Sequence, residues 1–187
     1  MITFYLVRHG EAENNVRHIL NSLPEKSEYP LTDRGRQQVA ATADILARAG
    51  ADAIWSSPIL RARETAGIIS QATGLTVNID DRLCEVRFGI FNGRQQEEFL
   101  AKYPEAEMRL SPDPADGVES YLDIRARLTT FLSDMEARHA SKKVIIVSHG
   151  DTLEQLHGIL TDEAPGVSAT GWYPEKGSCT EVVWKGV

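Results

Sequence analysis

Apolar residues in this chain come as short dense runs separated by stretches of helical spacing. ITFYLV (2–7) is apolar, β-branched and aromatic, and reads as a buried strand. From Leu31 to Ala49 the apolar spacing turns helical, with Thr32 as N-cap and Gly50 closing the helix. AIWSS (53–57) predicts a second strand. Pro58 suits the first turn of the following helix, which runs to a Gly74 stop. LTVNI (75–79) is a third strand candidate. Residues 81–93 have no clean period and predict a loop, 94–103 a short helix, and SPDPADG (111–117) a second loop. A long amphipathic helix is expected over 118–140. KKVIIV (142–147) is the clearest strand, DTLEQLHGIL opens another helix, and TEVVW (180–184) is a further strand.

Strands alternating with helices argue for an α/β fold with a mostly parallel central sheet. With 187 residues and no repeat array or linker-like tract, one domain over 1–187 is expected. The formal net charge of -7 and the absence of a Lys/Arg run argue against a nucleic-acid partner, and an anion would need a local basic pocket. Cys84 and Cys179 have no metal-ligand or CxxC spacing and suit two free thiols in a reducing cytosol. The N-terminus runs directly into a strand, with no signal-peptide pattern, and no apolar run approaches a membrane span. A cytoplasmic protein without a membrane partner is therefore expected.

The chemistry lies where two strands end. YLVRHG (5–10) and VIIVSHG (144–150) share one design: an apolar strand, a polar residue, then His-Gly. Ligands of open α/β sheets bind beyond the carboxyl ends of the strands, so His9 and His149 can meet there although distant in sequence. Gly10 and Gly150 let the backbone approach a ligand closely. A lone strand-terminal His is ordinarily a hydrogen-bonded loop residue. The repeat, with Arg8 interrupting the first strand end, argues otherwise. SSPILRARETA adds Arg61 in the first turns of a helix, where the helix terminus and the guanidinium fork both favour phosphate. Two arginines and two imidazoles suit a tetrahedral dianion, and an imidazole can itself be the nucleophile.

These residues resemble the histidine phosphatase, or phosphoglycerate-mutase-like, superfamily. RHGEAENN is similar to its opening signature, LTDRGRQQ to the segment that follows, and SSPILRARETA to its arginine stretch. LCEVRFGIFNG is similar to its acidic loop, and VSHG to its second-histidine motif. The resemblance implies a three-layer α/β/α sandwich. It also implies His9 as the nucleophile that becomes phosphohistidine, with Arg8 and Arg61 on the phosphoryl oxygens. His149 would neutralise the transferring group, Asn15 would orient the phosphate, and Glu85 would be the proton donor. No metal and no cofactor are implied. Ala12, Asn92 and Asp151 depart from the family pattern. Asp151 is expected to face away from the pocket, since its carboxylate would otherwise repel phosphate.

A phosphatase acting on a small-molecule phosphomonoester is the leading expectation. A mutase is the rival, set against it by the short cover between Gln95 and Asp116. A non-catalytic phosphate-binding relative and a metallohydrolase built on His9 and His149 are readings from other classes. A homodimer through an exposed edge strand stays open. His18, His139 and His157 read as structural, Trp55 as core, and Trp172 and Tyr173 as a pocket mouth or a loop anchor.

Overall fold

The computed structural model describes residues 1–168 and 170–186. Five strands, β1 (Ile2–Arg8), β2 (Ala53–Ser56), β3 (Val77–Ile79), β4 (Lys143–Ser148) and β5 (Cys179–Trp184), form one sheet of order β3-β2-β4-β1-β5. All neighbours are parallel except β5, which pairs antiparallel to β1. The helices are α1 (Glu13–Val16), α2 (Asp33–Leu46), α3 (Leu60–Thr73), α4 (Gln96–Lys102), α5 (Tyr121–His139) and α6 (Gly150–Leu160).

Strand period explains the three layers. Phe4, Leu6, Trp55, Val144 and Ile146 face one side of the sheet and pack with α5 and α6. Tyr5, Val7, Ile54, Ile145 and Val147 face the other and pack with α2 and α3. The central strands are apolar on both faces, as a sheet covered by helices on each side requires. Each fully buried Ile, Leu or Phe contributes roughly 1.5–3 kcal/mol, so the two cores hold the sheet far more firmly than any surface pair could. Trp55 is buried in the first core.

Local chemistry sets the element boundaries. The Thr32 hydroxyl accepts from Gly35 N–H and starts α2, which ends at Leu46 rather than running to Gly50. Pro58 lies two residues before the first residue of α3, outside its N-cap Ile59. Helix α5 starts at Tyr121, because Ser120 and Asp123 form a reciprocal capping box. The expected loop 81–93 contains two 3-10 turns, Asp81–Leu83 and Gly89–Phe91. Segment 96–117 forms a wall over the carboxyl end of the sheet, anchored by the edge-to-face contacts of Phe99 with Phe88 and Phe91. Among the described residues, no helix is long and apolar enough to cross a membrane.

The turn after β1 is wedged against the first turn of α2. A Cβ on Gly10 would overlap the Gly35 carbonyl, and a Cβ on Gly35 would overlap the Glu11 carbonyl. Backbone cannot give way as a side chain can. Gly35→Ala is therefore expected to cost about 1–3 kcal/mol of stability, read as a lower denaturant midpoint at unchanged m-value. An unchanged midpoint would show that the wedge is loose.

Candidate active site

Strands β1 and β4 are adjacent and in register, Arg8 opposite Ser148. The His9 N–H donates to the Ser148 carbonyl at 3.0 Å. Both chains then leave the sheet at the same level, and the imidazoles of His9 and His149 come to 5.1 Å between centroids.

The hydrogen bonds fix the His9 tautomer. Its Nδ1 lies 2.7 Å from the Gly10 carbonyl, which can only accept, so the hydrogen is on Nδ1. Nε2 then carries a lone pair, and it accepts the Arg61 Nε–H at 3.0 Å. Arg61 is placed by α3, where it is the second residue. Its two terminal nitrogens donate to Asn21 Oδ1 at 2.9 Å and to the Asn21 carbonyl at 3.0 Å. Thr65, one turn later, accepts from Gly10 N–H and donates to the Arg61 carbonyl, tying α3 to the histidine turn.

His149 Nε2 lies 2.7 Å from Ser57 Oγ. That oxygen already accepts from Ile59 N–H, so its own hydrogen is free to go to Nε2. This assignment leaves the hydrogen of His149 on Nδ1, a buried atom with no partner. Arg8 shows the same deficit. Its Nη1 donates to the Pro174 carbonyl at 2.8 Å and its guanidinium lies over the Tyr173 ring, yet its buried Nε has no partner. A buried unmade hydrogen bond costs about 1–3 kcal/mol, which an anion accepting from it would recover.

Burial first, then the Arg61 and Arg8 charges, holds His9 well below the ordinary imidazole range. Burial, Arg61 and His9 do the same to His149. Both rings are therefore neutral at pH 7. Burial also brings Arg61 down to about 10. Glu85 follows the first 3-10 turn and is 8% exposed. Its Oε1 accepts from Val86 N–H at 3.0 Å, and burial followed by the Asp151 charge pushes its carboxyl up to about 7. A carboxyl balanced between its two forms near neutrality can give a proton in one step and take one in the next.

These groups surround a cavity of about 270 Å³ at the carboxyl edge of the sheet. Arg8, His9, Asn15, Arg61 and Glu85 line it. His149 and Gly150 do not. His149 is fully buried behind His9, and Gly150 leaves the room that Tyr173 and Arg8 occupy, since a Cβ there would overlap the Tyr173 hydroxyl. Asn15 Oδ1 accepts from Ala12 N–H and caps α1. The expectation for Asp151 was wrong: it lines the cavity. Arg109 donates to its Oδ2 at 2.9 Å and the Tyr173 hydroxyl to its Oδ1 at 3.0 Å, so both oxygens are held where they stand. Tyr173 lines the pocket, whereas Trp172 stacks on His157 with ring centroids 4.1 Å apart.

Sequence reasoning missed Asn21 and Arg109. Asn21 sits in an irregular loop whose path nothing in the sequence sets. Arg109 lies in a 3-10 turn (Ala106–Leu110) without apolar period. Among the described residues, no group of three or more His, Cys, Asp or Glu is placed to hold a metal ion.

The family model of the histidine phosphatase superfamily (branch 1) matches residues 4–186. "Phosphoserine phosphatase 1" of Hydrogenobacter thermophilus is 35% identical over 164 residues, covering 86% of this chain and 76% of that protein. "Probable phosphoglycerate mutase GpmB" of Escherichia fergusonii is 31% identical over 157 residues, 82% of this chain and 72% of that one. Among solved structures, YhfR of Bacillus stearothermophilus superposes with a TM-score of 0.83 at 28% identity, over 97% of this chain and 90% of its own. A mycobacterial glucosyl-3-phosphoglycerate phosphatase in complex with VO3 gives 0.79 at 25% identity, over 96% and 90%.

The raised Glu85 carboxyl has a consequence for stability. Between about 4.5 and about 7 the folded protein holds a proton that the unfolded chain releases. Stability from this group is thus present at acidic pH and falls as pH rises through that window. Glu85→Gln removes the liability. Its stability advantage over wild type is expected to be near zero at pH 4.5 and to reach about 3 kcal/mol by pH 8, measured by denaturant unfolding. An advantage independent of pH would contradict the assignment.

Proposed function

The chain belongs to the histidine phosphatase superfamily, and on that premise we propose that it is a phosphomonoesterase working through a phosphohistidine on His9. The observation that carries this reading is the fixed tautomer of His9, which leaves an Nε2 lone pair on a neutral, buried imidazole between two arginines. Arg8 and Arg61 hold the phosphoryl oxygens, the unpartnered Arg8 Nε supplies a further donor, and His149 supports His9 from beside it. Asn15 orients the group with its amide, and Gly150 gives Arg8 and Tyr173 the space to approach. His9 Nε2 bonds to phosphorus as the ester oxygen leaves, and that oxygen takes the Glu85 proton. Water then attacks phosphorus, giving a proton back to Glu85 and releasing phosphate from Nε2. Catalysis of this kind is mostly positioning and charge neutralisation.

The cavity size and its polar lining suit a small phosphorylated metabolite rather than a protein surface. Relatives named for phosphoserine and for glucosyl-3-phosphoglycerate support that class. The likeness to a named mutase keeps return transfer of the phosphoryl group as the second reading. The short cover between Gln95 and Asp116 favours water as the acceptor, because it closes less of the phosphoenzyme from solvent.

Turnover of p-nitrophenyl phosphate and a panel of alkyl phosphates tests the reading. His9→Ala is expected to lower kcat by at least about a thousandfold, and EDTA to leave wild-type turnover unchanged. Wild type quenched during turnover should carry one acid-labile phosphoryl group, absent in His9→Ala. Equal turnover by His9→Ala would exclude the phosphohistidine route. Isomerisation of a phosphoglycerate outpacing its hydrolysis would establish the mutase instead.

A further inference from the structure

The arginines that suit a phosphate are hostile to a general acid. Arg8 and Arg61 both favour the ionised form of Glu85, which must keep its proton until the ester bond breaks. Something has to oppose them. Burial is one such influence. The other is a carboxylate that the family pattern does not call for.

Asp151 stands in the first turn of α6, two residues after His149, and is 8% exposed. A carboxylate so deep in a phosphate pocket weakens dianion binding, so its presence needs a reason. Both of its oxygens are engaged, from two elements remote from it in sequence. Arg109 comes from the cover, held over the Tyr121 ring, and Tyr173 comes from the loop before β5. Glu85 is faced by Asp151 and Thr152 from α6, by Arg61 from α3, by Arg8 and His9 from the end of β1, by Tyr173, by Arg109 from the cover, and through Thr152 Oγ1 by Arg127 of α5. Of these, Asp151 is the one group whose charge has the same sign as ionised Glu85. Thr152 Oγ1 touches both the Glu85 carboxyl, at 3.4 Å, and the Cys84 carbonyl, at 2.7 Å, so α6 also fixes the backbone that carries Glu85.

We propose that Asp151 is a positioning residue for the leaving-group proton: clamped by Arg109 and Tyr173, its carboxylate keeps Glu85 protonated beside two arginines until the departing alkoxide takes that proton. The inference rests on the phosphomonoesterase reading and adds a residue to it. The direction of the Glu85 shift, with Asp151 second only to burial among its causes, agrees. In the balanced step the Nε2–phosphorus bond forms, the phosphorus–oxygen ester bond breaks, and the Glu85 proton passes to the ester oxygen. Glu85 is left as the carboxylate that later accepts a proton from water. Asp151 exchanges nothing and acts in both half-reactions through charge alone.

The test follows the Glu85 carboxyl by carbon-13 NMR of glutamate-labelled protein, with Glu85→Gln assigning the resonance. The Glu85 midpoint is expected to fall by about one pH unit in Asp151→Asn and to stay at the wild-type value in Asp151→Glu, which keeps the charge. In Asp151→Asn the alkaline limb of kcat/KM for an alkyl phosphate should move down by the same interval, about tenfold in rate above both midpoints, and in Asp151→Glu it should stay where it is in wild type. p-Nitrophenyl phosphate, whose phenolate leaves without a proton, should move less, and its KM should fall as the repelling charge is removed. Asp151→Ser serves as a second neutral variant if Asp151→Asn does not fold. A Glu85 midpoint unmoved in the neutral variants of an active enzyme overturns this inference and leaves the phosphatase reading standing. A wild type inactive on every ester overturns both.

Discussion

Everything at this site depends on the parallel pairing of β1 with β4. Two strands about 140 residues apart lie side by side, Val7 opposite Val147 and Arg8 opposite Ser148. A slip of one strand by one residue would turn its side chains to the opposite face of the sheet and separate the two histidines. Burial forbids that slip. Phe4 and Leu6 belong to one core and Tyr5 and Val7 to the other, and each core is already filled by its own pair of helices. The register that satisfies the two hydrophobic layers is the same register that brings the imidazoles together.

Charge placement is the second constraint. The cluster combines cations that draw in a dianion with groups that must stay uncharged among them. Low polarity does part of this work by keeping both imidazoles neutral. The rest comes from counter-charges on segments remote in sequence, with Arg109 answering Asp151 across the cavity mouth. The ion pair therefore links the cover to the helix that starts at the second histidine, and recognition and chemistry share one electrostatic balance.

Most of the fold was legible because its strands are short, apolar and bounded by polar turns, and because α2 and α3 carry Thr32 and Gly74 at their ends. Boundaries were less legible. Gly50 looked like a helix stop, but the chain leaves α2 at Leu46 and turns before reaching it. At the site, Arg8, His9, Asn15, Arg61 and Glu85 were visible as motif residues, and Glu85 would have passed for an exposed loop acid without the family pattern. Asp151 was misread because single-residue electrostatics argued that it must turn away, and its compensating partners lie 42 and 22 residues off in sequence. Asn21 left no trace, because its value lies only in where a loop happens to place one amide and one carbonyl.

The hydrogen bond from Arg61 to His9 Nε2 carries a consequence for selectivity. The lone pair on that nitrogen is not bare: a guanidinium sits on it, fixed on its other side by Asn21. An incoming molecule reaches that nitrogen only by offering Arg61 acceptors at least as good as the imidazole, and a dianion with several oxygens does so while a neutral electrophile does not. On the phosphohistidine route proposed above, the class of molecule that needs the nitrogen is thus the class that draws the guanidinium away from it.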